Sequence, residues 1–173
     1  QFVGKAAIPD LVGGFGFDLT VHGVTLSSAF SFGLGGYGYD GAYATLMDPS
    51  SAIGASNWHK DILDSWSPTN TNGTLPILGS NASELSQATS SSTRFLTSRS
   101  YLNLSNVRIS YDLPKSLVKH VGLERASVYV SGDNLFLISA RKGFVSMSSS
   151  SGSSSSSRYL PTSTITAGVQ IKL

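Results

Sequence analysis

The sequence of 173 residues contains no cysteine, so it can form neither a disulfide framework nor a thiolate metal site. Charged residues make up 13% of the chain, which is about half of the usual share in a soluble domain. The net charge of +2 offers no electrostatic surface to a polyanion, which argues against nucleic-acid binding. The longest apolar runs are too short for a transmembrane helix. These absences exclude a disulfide scaffold, a basic nucleic-acid binder and a helical membrane protein.

What the sequence does contain is alternation of apolar and polar residues with a period of two, which is typical of β-strands. The predicted strands cover residues 14–22, 24–34, 101–113, 125–138 and 162–173. The first two flank Gly23 and predict a tight hairpin. In the third strand Leu102 and Leu104 are out of phase with Val107, which predicts a bulge near residues 105–106. The fold class is therefore all-β.

The connections between these strands alternate in length. Two are short, at Gly23 and at residues 114–124, where one helical turn is expected around residues 116–120. Two are long and polar, at residues of about 39–99 and 139–161. Because a compact soluble domain rarely contains a connection of about 60 mostly irregular residues, the first long segment needs an explanation. Alternating short turns and long loops are the layout of an outer-membrane β-barrel.

In such a barrel the apolar face of each strand meets lipid and the polar face borders an aqueous lumen. The residues expected to face lipid are Phe15, Phe17, Leu19, Val21, Leu26, Phe30, Phe32, Val107, Ile109, Tyr111, Ile165, Val169 and Ile171. The lumen-facing polar residues would be Asp18, Arg108 and Asp112, which we expect to pair with one another or with a plug domain that the resemblance described below implies. The same alternation fits a soluble β-sandwich with inward apolar faces, so a carbohydrate-binding or adhesin module stays as the alternative.

Five strands cannot close a barrel, and an open sheet edge in lipid leaves backbone groups that no water can satisfy. We therefore expect strands outside this sequence to complete the barrel. The chain begins at Gln1 rather than Met, and no basic region precedes an apolar stretch, so no signal peptide is expected within it. We expect a mature product or a piece of a longer protein.

Six sequence blocks resemble, in order, the C-terminal barrel of SusC-type TonB-dependent outer-membrane transporters. The blocks are PDLVGGF at 9–15, WSPTNTNGTLP at 66–76, SYLNLSNV at 100–107 with YDLP at 111–114, VYVSGDNLF at 128–136 with KG at 142–143, YLP at 159–161, and GVQIKL at 168–173. The chain departs from the family pattern at Leu173, where an aromatic is usual, and at Asn103 and Ser105, where Arg or Lys is frequent. The serine run at 146–157 replaces an acidic-proline pair and is either a flexible loop or a stand-in for another sequence.

This resemblance implies that residues 1–173 form five of 22 barrel strands, with the plug domain absent from them. It implies a location in the bacterial outer membrane and a role in the TonB-driven import of glycans or oligopeptides. The implied partners are the N-terminal part of the same transporter, with its plug and other strands, a SusD-like lipoprotein, TonB and outer-membrane lipid. No cofactor and no enzymatic activity are implied.

Catalytic and cofactor motifs are weak by comparison. Residues 33–38 fit G-x-G-x-x-G, but no helix follows them as dinucleotide binding requires. His22, His59 and His120 lie on separate segments without metal-ligand spacing. No G-x-S-x-G motif occurs among the many serines, so no hydrolase site is predicted.

The aromatic residues of the first long loop are the candidates for ligand or partner contact. They are Tyr39, Tyr43, Trp58 and Trp66. Such side chains can stack on sugar rings, but they can equally form a small core that holds the loop. Trp58, Ile62 and Trp66 recur every four residues and predict a helix over residues 57–66 with one apolar stripe, which favours the core.

Overall fold

The computed structural model describes residues 4–48, 57–77, 92–120, 122–144 and 161–173. The strands are β1 (Leu11–Val21), β2 (Val24–Leu34), β3 (Tyr37–Tyr39), β4 (Leu96–Ser98), β5 (Tyr101–Asp112), β6 (Arg125–Ser139) and β7 (Thr164–Lys172). The α-helices are α1 (Gly41–Leu46) and α2 (Lys115–His120), and 3-10 helices cover Lys60–Asp64 and Thr93–Phe95. Within the described ranges, no helix has the length and apolar character needed to cross a membrane.

The five long strands form one antiparallel sheet in the order β1-β2-β5-β6-β7. This confirms the all-β prediction, the number of long strands and the helical turn between β5 and β6. Val21 pairs with Val24, so the first hairpin has a two-residue loop formed by His22 and Gly23. Both loop residues have positive φ, at 49° and 83°, as the favoured hairpin turn requires.

The predicted bulge is present in β5. The pairing with both neighbouring strands shifts register between Leu104 and Asn106, around Ser105. β6 has a matching irregularity opposite this bulge, at Asn134, where φ is +50°. As a result Leu102 and Leu104 pair with the phenylalanines of β2 and lie on the same face as Val107. The bulge thus keeps the apolar face continuous along the whole length of the strand.

The sheet has one apolar and one polar face, and the apolar face is exposed. The register places all of the residues expected to face lipid on this side. Phe17, Leu19 and Val169 are 49%, 56% and 66% exposed, so they do not meet in a sealed centre. No second layer of the described residues covers them. What they contact outside this chain stays a prediction.

The described parts of the long connections lie at the end of the sheet opposite Gly23, and those of the first connection contain more regular structure than the sequence indicates. β3 and β4 form a second, two-stranded sheet, and α1 follows β3. The prediction of a helix over residues 57–66 is wrong, since only Lys60–Asp64 is helical and of the 3-10 type. Ser65 is extended and bridges to Leu75, so the chain leaves the helical path before Trp66.

The serine run at 146–157 and the tyrosine and leucine of the YLP block lie outside the described residues.

Candidate functional site

A small apolar core lies within the first long connection at this end of the sheet. Its buried residues are Ala44, Met47, Ile62, Leu75 and Phe95, with Tyr39, Tyr43 and Trp58 packed against them. The ring of Phe95 is fully buried and meets both tyrosine rings edge-on. We name this unit, formed by residues 37–48, 57–77 and 92–98, the loop cap. Three of the four predicted contact aromatics therefore take part in its core, and their role in binding stays a prediction.

A chain of polar contacts crosses the surface of the loop cap and ties it to the second long connection. Arg141, which follows β6, lies 3.4 Å from the carboxylate of Asp40. Its guanidinium also stacks over the ring of Tyr43, 3.7 Å from the ring centroid. The Tyr43 hydroxyl donates to Asp61 at 2.8 Å, and the ring of His59 meets the Tyr43 ring at 4.9 Å. Sequence reasoning missed Arg141, because nothing local connects it to Asp40.

Tyr43 is the titratable group most affected by these contacts. Burial raises its pKa above the ordinary value, and the hydrogen bond to Asp61 raises it further. The guanidiniums of Arg141 and Arg94 lower the pKa of Tyr43, but by less than burial and Asp61 raise it. The phenol therefore stays protonated and keeps its hydrogen bond at neutral pH.

An open cleft of about 600 Å³ adjoins this network. It is lined by Tyr43, Met47, Asp61, Asp64, Thr74, Arg94 and Arg141. Asp64 accepts hydrogen bonds from Asn70 and Thr74, and these bonds lower the pKa of its carboxyl group. The cleft thus presents two carboxylates and two guanidiniums, while one face of its single aromatic ring is covered by Arg141.

Trp66 differs from the other three contact aromatics because it does not pack against the core of the loop cap and is 41% exposed. Its backbone N–H donates to the carbonyl of Leu75 at 2.8 Å. Gly73 lies so close behind it that an added Cβ would come within 2.5 Å of the Trp66 nitrogen. The tight turn before Leu75 therefore holds Trp66 at the surface.

On the polar face of the sheet, the three predicted lumen residues do not pair with one another. Asp112 instead pairs with Arg125 of β6, a residue that the sequence did not single out. Arg108 stacks over the ring of Tyr129 at 3.9 Å from its centroid. Asp18 lies on the exposed edge strand β1. The expectation that Asp18, Arg108 and Asp112 pair with one another is therefore wrong. Arg125 lies beside Asp112 at the strand ends and takes the place of a partner from this set.

The apolar face carries a row of aromatic rings. Phe15 stacks on Phe30 at 4.8 Å, and Phe32 and Phe136 extend the row at 6.2 and 6.4 Å. Phe136 was missed as a residue of this face because the irregularity at Asn134 changes the phase of β6. The bulge predicted in β5 is the sequence feature from which the side of the sheet that Phe136 occupies could have been inferred.

Among the described residues, no group of three His, Cys, Asp or Glu could hold a metal ion. The G-x-G-x-x-G segment runs from the end of β2 into β3 and forms a glycine-rich corner. Gly35 and Gly36 have φ of +79° and +71° there. An added Cβ on Gly36 would meet the backbone of Ile8 and Pro9 at about 3.0 Å. Glycine at this position therefore leaves room for the segment that leads into β1.

Comparison with known proteins gives relatives of one kind, although no family profile matches the chain. The sequence is 32% identical over 127 residues to TonB-dependent receptor P3 of Formosa agariphila, and 26% identical over 130 residues to receptor P26 of the same organism. These matches cover 73% and 75% of the chain but 12% of each relative. The chain therefore spans about an eighth of their length.

A solved structure of the RagAB peptide importer in its open-open state has the same fold. It aligns with a TM-score of 0.78 and 24% identity, over 99% of this chain and 18% of that one. The open sheet therefore matches a stretch of a larger barrel. TonB-dependent receptors are not enzymes, so these relatives agree with the prediction that the chain belongs to no enzyme.

Proposed function

We propose that this chain, a segment of a SusC-type TonB-dependent transporter, forms part of the wall of an outer-membrane importer. In the whole protein, its apolar face would meet lipid and its polar face would border the lumen. Other strands of the same transporter would pair with the free edges of β1 and β7, because lipid offers no water to unpaired backbone groups.

The observation that carries this proposal is the exposure of most of the apolar face of a long-stranded sheet. Ile109, Ile165 and Val169 are 55%, 75% and 66% exposed on it. A water-soluble protein rarely exposes so large a continuous apolar surface. The rival function, a soluble carbohydrate-binding or adhesin sandwich, would need a second sheet over this face.

We propose that the loop cap is extracellular and contacts both the transported ligand and a SusD-like lipoprotein lid. The cleft offers both signs of charge, from Asp61, Asp64 and Arg94, but has only the partly covered Tyr43 ring for sugar stacking. Oligopeptides carry charged termini and amide groups that such a lining can bind. Together with the likeness to the RagAB peptide importer, this favours oligopeptides over neutral glycans as the ligand.

The test uses the full-length transporter in cells of its host. We expect it in the outer-membrane fraction, resistant to alkaline washing, and we expect uptake of labelled oligopeptides to stop when the proton gradient is collapsed. A monodisperse monomer in detergent-free buffer would contradict membrane insertion. Energy-dependent uptake of glycans alone would leave the importer role intact and overturn the choice of oligopeptides.

A further inference from the structure

The short connection between β5 and β6 covers one end of the apolar face of the sheet. Ala126 lies on this face, because it is two residues before Val128 on β6. Val128 is 40% exposed, whereas Ala126 is 4% exposed and Val118 of α2 is 3% exposed. α2 contacts β6, and the Leu123 backbone N–H donates to the carbonyl of Val118 at 3.2 Å, which turns the chain back toward the strand. Val118 therefore seats α2 over the apolar side of the sheet.

Helical spacing gives α2 an apolar side and a basic side. With 3.6 residues per turn, Leu117 projects to one side of Val118, and Lys115 and Lys119 project to the other. Leu117 is 63% exposed, and both lysines are exposed as well. The helix thus presents one apolar side chain and two cations to its surroundings, on either side of the residue that fixes it to the sheet.

No carboxylate of the described residues pairs with either lysine of α2. The carboxylates at this end of the sheet bind other cations: Asp112 pairs with Arg125, and Glu124 pairs with Lys172 at 2.8 Å. The two lysines are therefore left with positive charge beside an exposed apolar surface. Basic side chains next to an exposed leucine are typical of a helix that lies at a membrane surface, where cations bind lipid phosphates and the apolar side chain meets the acyl chains.

We infer that α2 binds the headgroup of an anionic phospholipid in the periplasmic leaflet of the outer membrane. The two lysines of α2 would bind the lipid phosphate. Leu117 would lie against the acyl chains, beside Tyr111 and Ile171, which are exposed at the same end of the apolar face. A zwitterionic lipid balances its own phosphate, whereas an anionic lipid leaves a negative charge for the lysines. The inference rests on the proposed function, which places the apolar face in lipid and the loop cap outside the cell.

Photolabelling of the full-length transporter in lipid vesicles tests this site. The vesicles contain phosphatidylethanolamine and phosphatidylglycerol, and a trace of one or the other lipid carries a diazirine next to its headgroup. On illumination the diazirine loses dinitrogen, the carbene inserts into a nearby bond of the protein, and mass spectrometry locates the labelled peptide. Lys115→Gln and Lys119→Gln are made singly and together. Lys172→Gln is the matched control, because it removes an exposed lysine at the same end of the sheet but on the polar face.

We expect the phosphatidylglycerol probe to label the α2 peptide of the parent protein in preference to the phosphatidylethanolamine probe. Each single substitution should lower this preference about fivefold, and the double substitution should remove it. Lys172→Gln should retain it.

Three results would overturn the inference: equal labelling of α2 by the two probes in the parent, an equal loss of preference in Lys172→Gln, or no label on α2 from either probe, which would leave the helix to a soluble partner. Failure of the protein to enter the vesicles would overturn the proposed function and this inference with it. Insertion without preferential labelling would overturn the inference alone.

Discussion

Arg141 shows how a single side chain can join two long connections. Its partners, Asp40 and Tyr43, lie about a hundred residues earlier in the sequence. Asp40 is nearly buried and caps helix α1 by accepting from the Tyr43 backbone N–H at 3.1 Å. Tyr43 belongs to an aromatic core, as predicted, but nothing in the sequence indicates the cation that covers its ring. Contacts between distant loops depend on the folded path of the chain, which no local pattern encodes.

Replacing this arginine should loosen the loop cap. In Arg141→Leu, Asp40 loses its ion pair and Tyr43 loses a stacked cation, which should destabilise the cap by about 1–3 kcal/mol. Hydrogen–deuterium exchange of the peptides around α1 in the full-length transporter measures this. The neighbouring exposed cation provides the control, since Lys142→Leu should leave exchange unchanged. Equal exchange in the two variants would show that Arg141 does not hold the cap.

The ionisation of Tyr43 predicts how the cap responds to alkali. Because its pKa is raised from 10.0, mainly by burial and then by Asp61, the fold favours the neutral phenol. Its contribution to stability is complete below pH 10 and is lost as the pH rises through the raised value. The tyrosinate absorbance of the parent minus that of Tyr43→Phe should therefore titrate above pH 10. A midpoint at or below the ordinary value would contradict the hydrogen-bonded, partly buried state.

Among the elements, the bulge between β5 and β6 shows which irregularities a sequence reveals. The phase change between Leu104 and Val107 gives its place in β5, because a strand cannot change phase without an extra residue. Its counterpart at Asn134 is hidden, since the sequence there has no equally clear alternation. The failed helix over residues 57–66 has a different cause: Ser65 pairs with Leu75, and this tertiary pairing overrides the helical spacing of the two tryptophans.

The backbone at Asn134 provides a test of the bulge. Asn tolerates its φ of +50°, whereas a β-branched side chain does not. We expect Asn134→Val to destabilise the barrel by about 1–3 kcal/mol relative to Asn134→Gly. Both variants lose the hydrogen bond from Asn103, so their difference isolates the backbone cost. Urea unfolding in lipid vesicles measures it, and equal midpoints would mean that the strand takes another path there.

In the molecule as a whole, the two faces of the sheet should respond oppositely to charge. Val169 lies near the middle of β7, and Thr166 of the same strand has its side chain on the opposite face. In the assembled transporter, Val169→Arg should cost about 2–4 kcal/mol at mid-membrane depth. Thr166→Arg places the same charge toward the lumen and should cost much less. The yield of folded protein in the outer membrane, judged by heat-modified mobility on gels, compares the two. Equal losses would contradict the assignment of faces.

Local sequence patterns predict the five long strands, their two faces, the hairpin at Gly23 and the alternation of short and long connections. Each of these follows from local rules, because side chains alternate along any extended backbone and a positive φ favours a tight turn. The folded chain alone shows that Arg125 rather than Arg108 pairs with Asp112, that Arg141 stacks on Tyr43, and that Phe136 joins the aromatic row. These contacts depend on strand register and on the return path of long connections, which bring together residues that are distant in sequence.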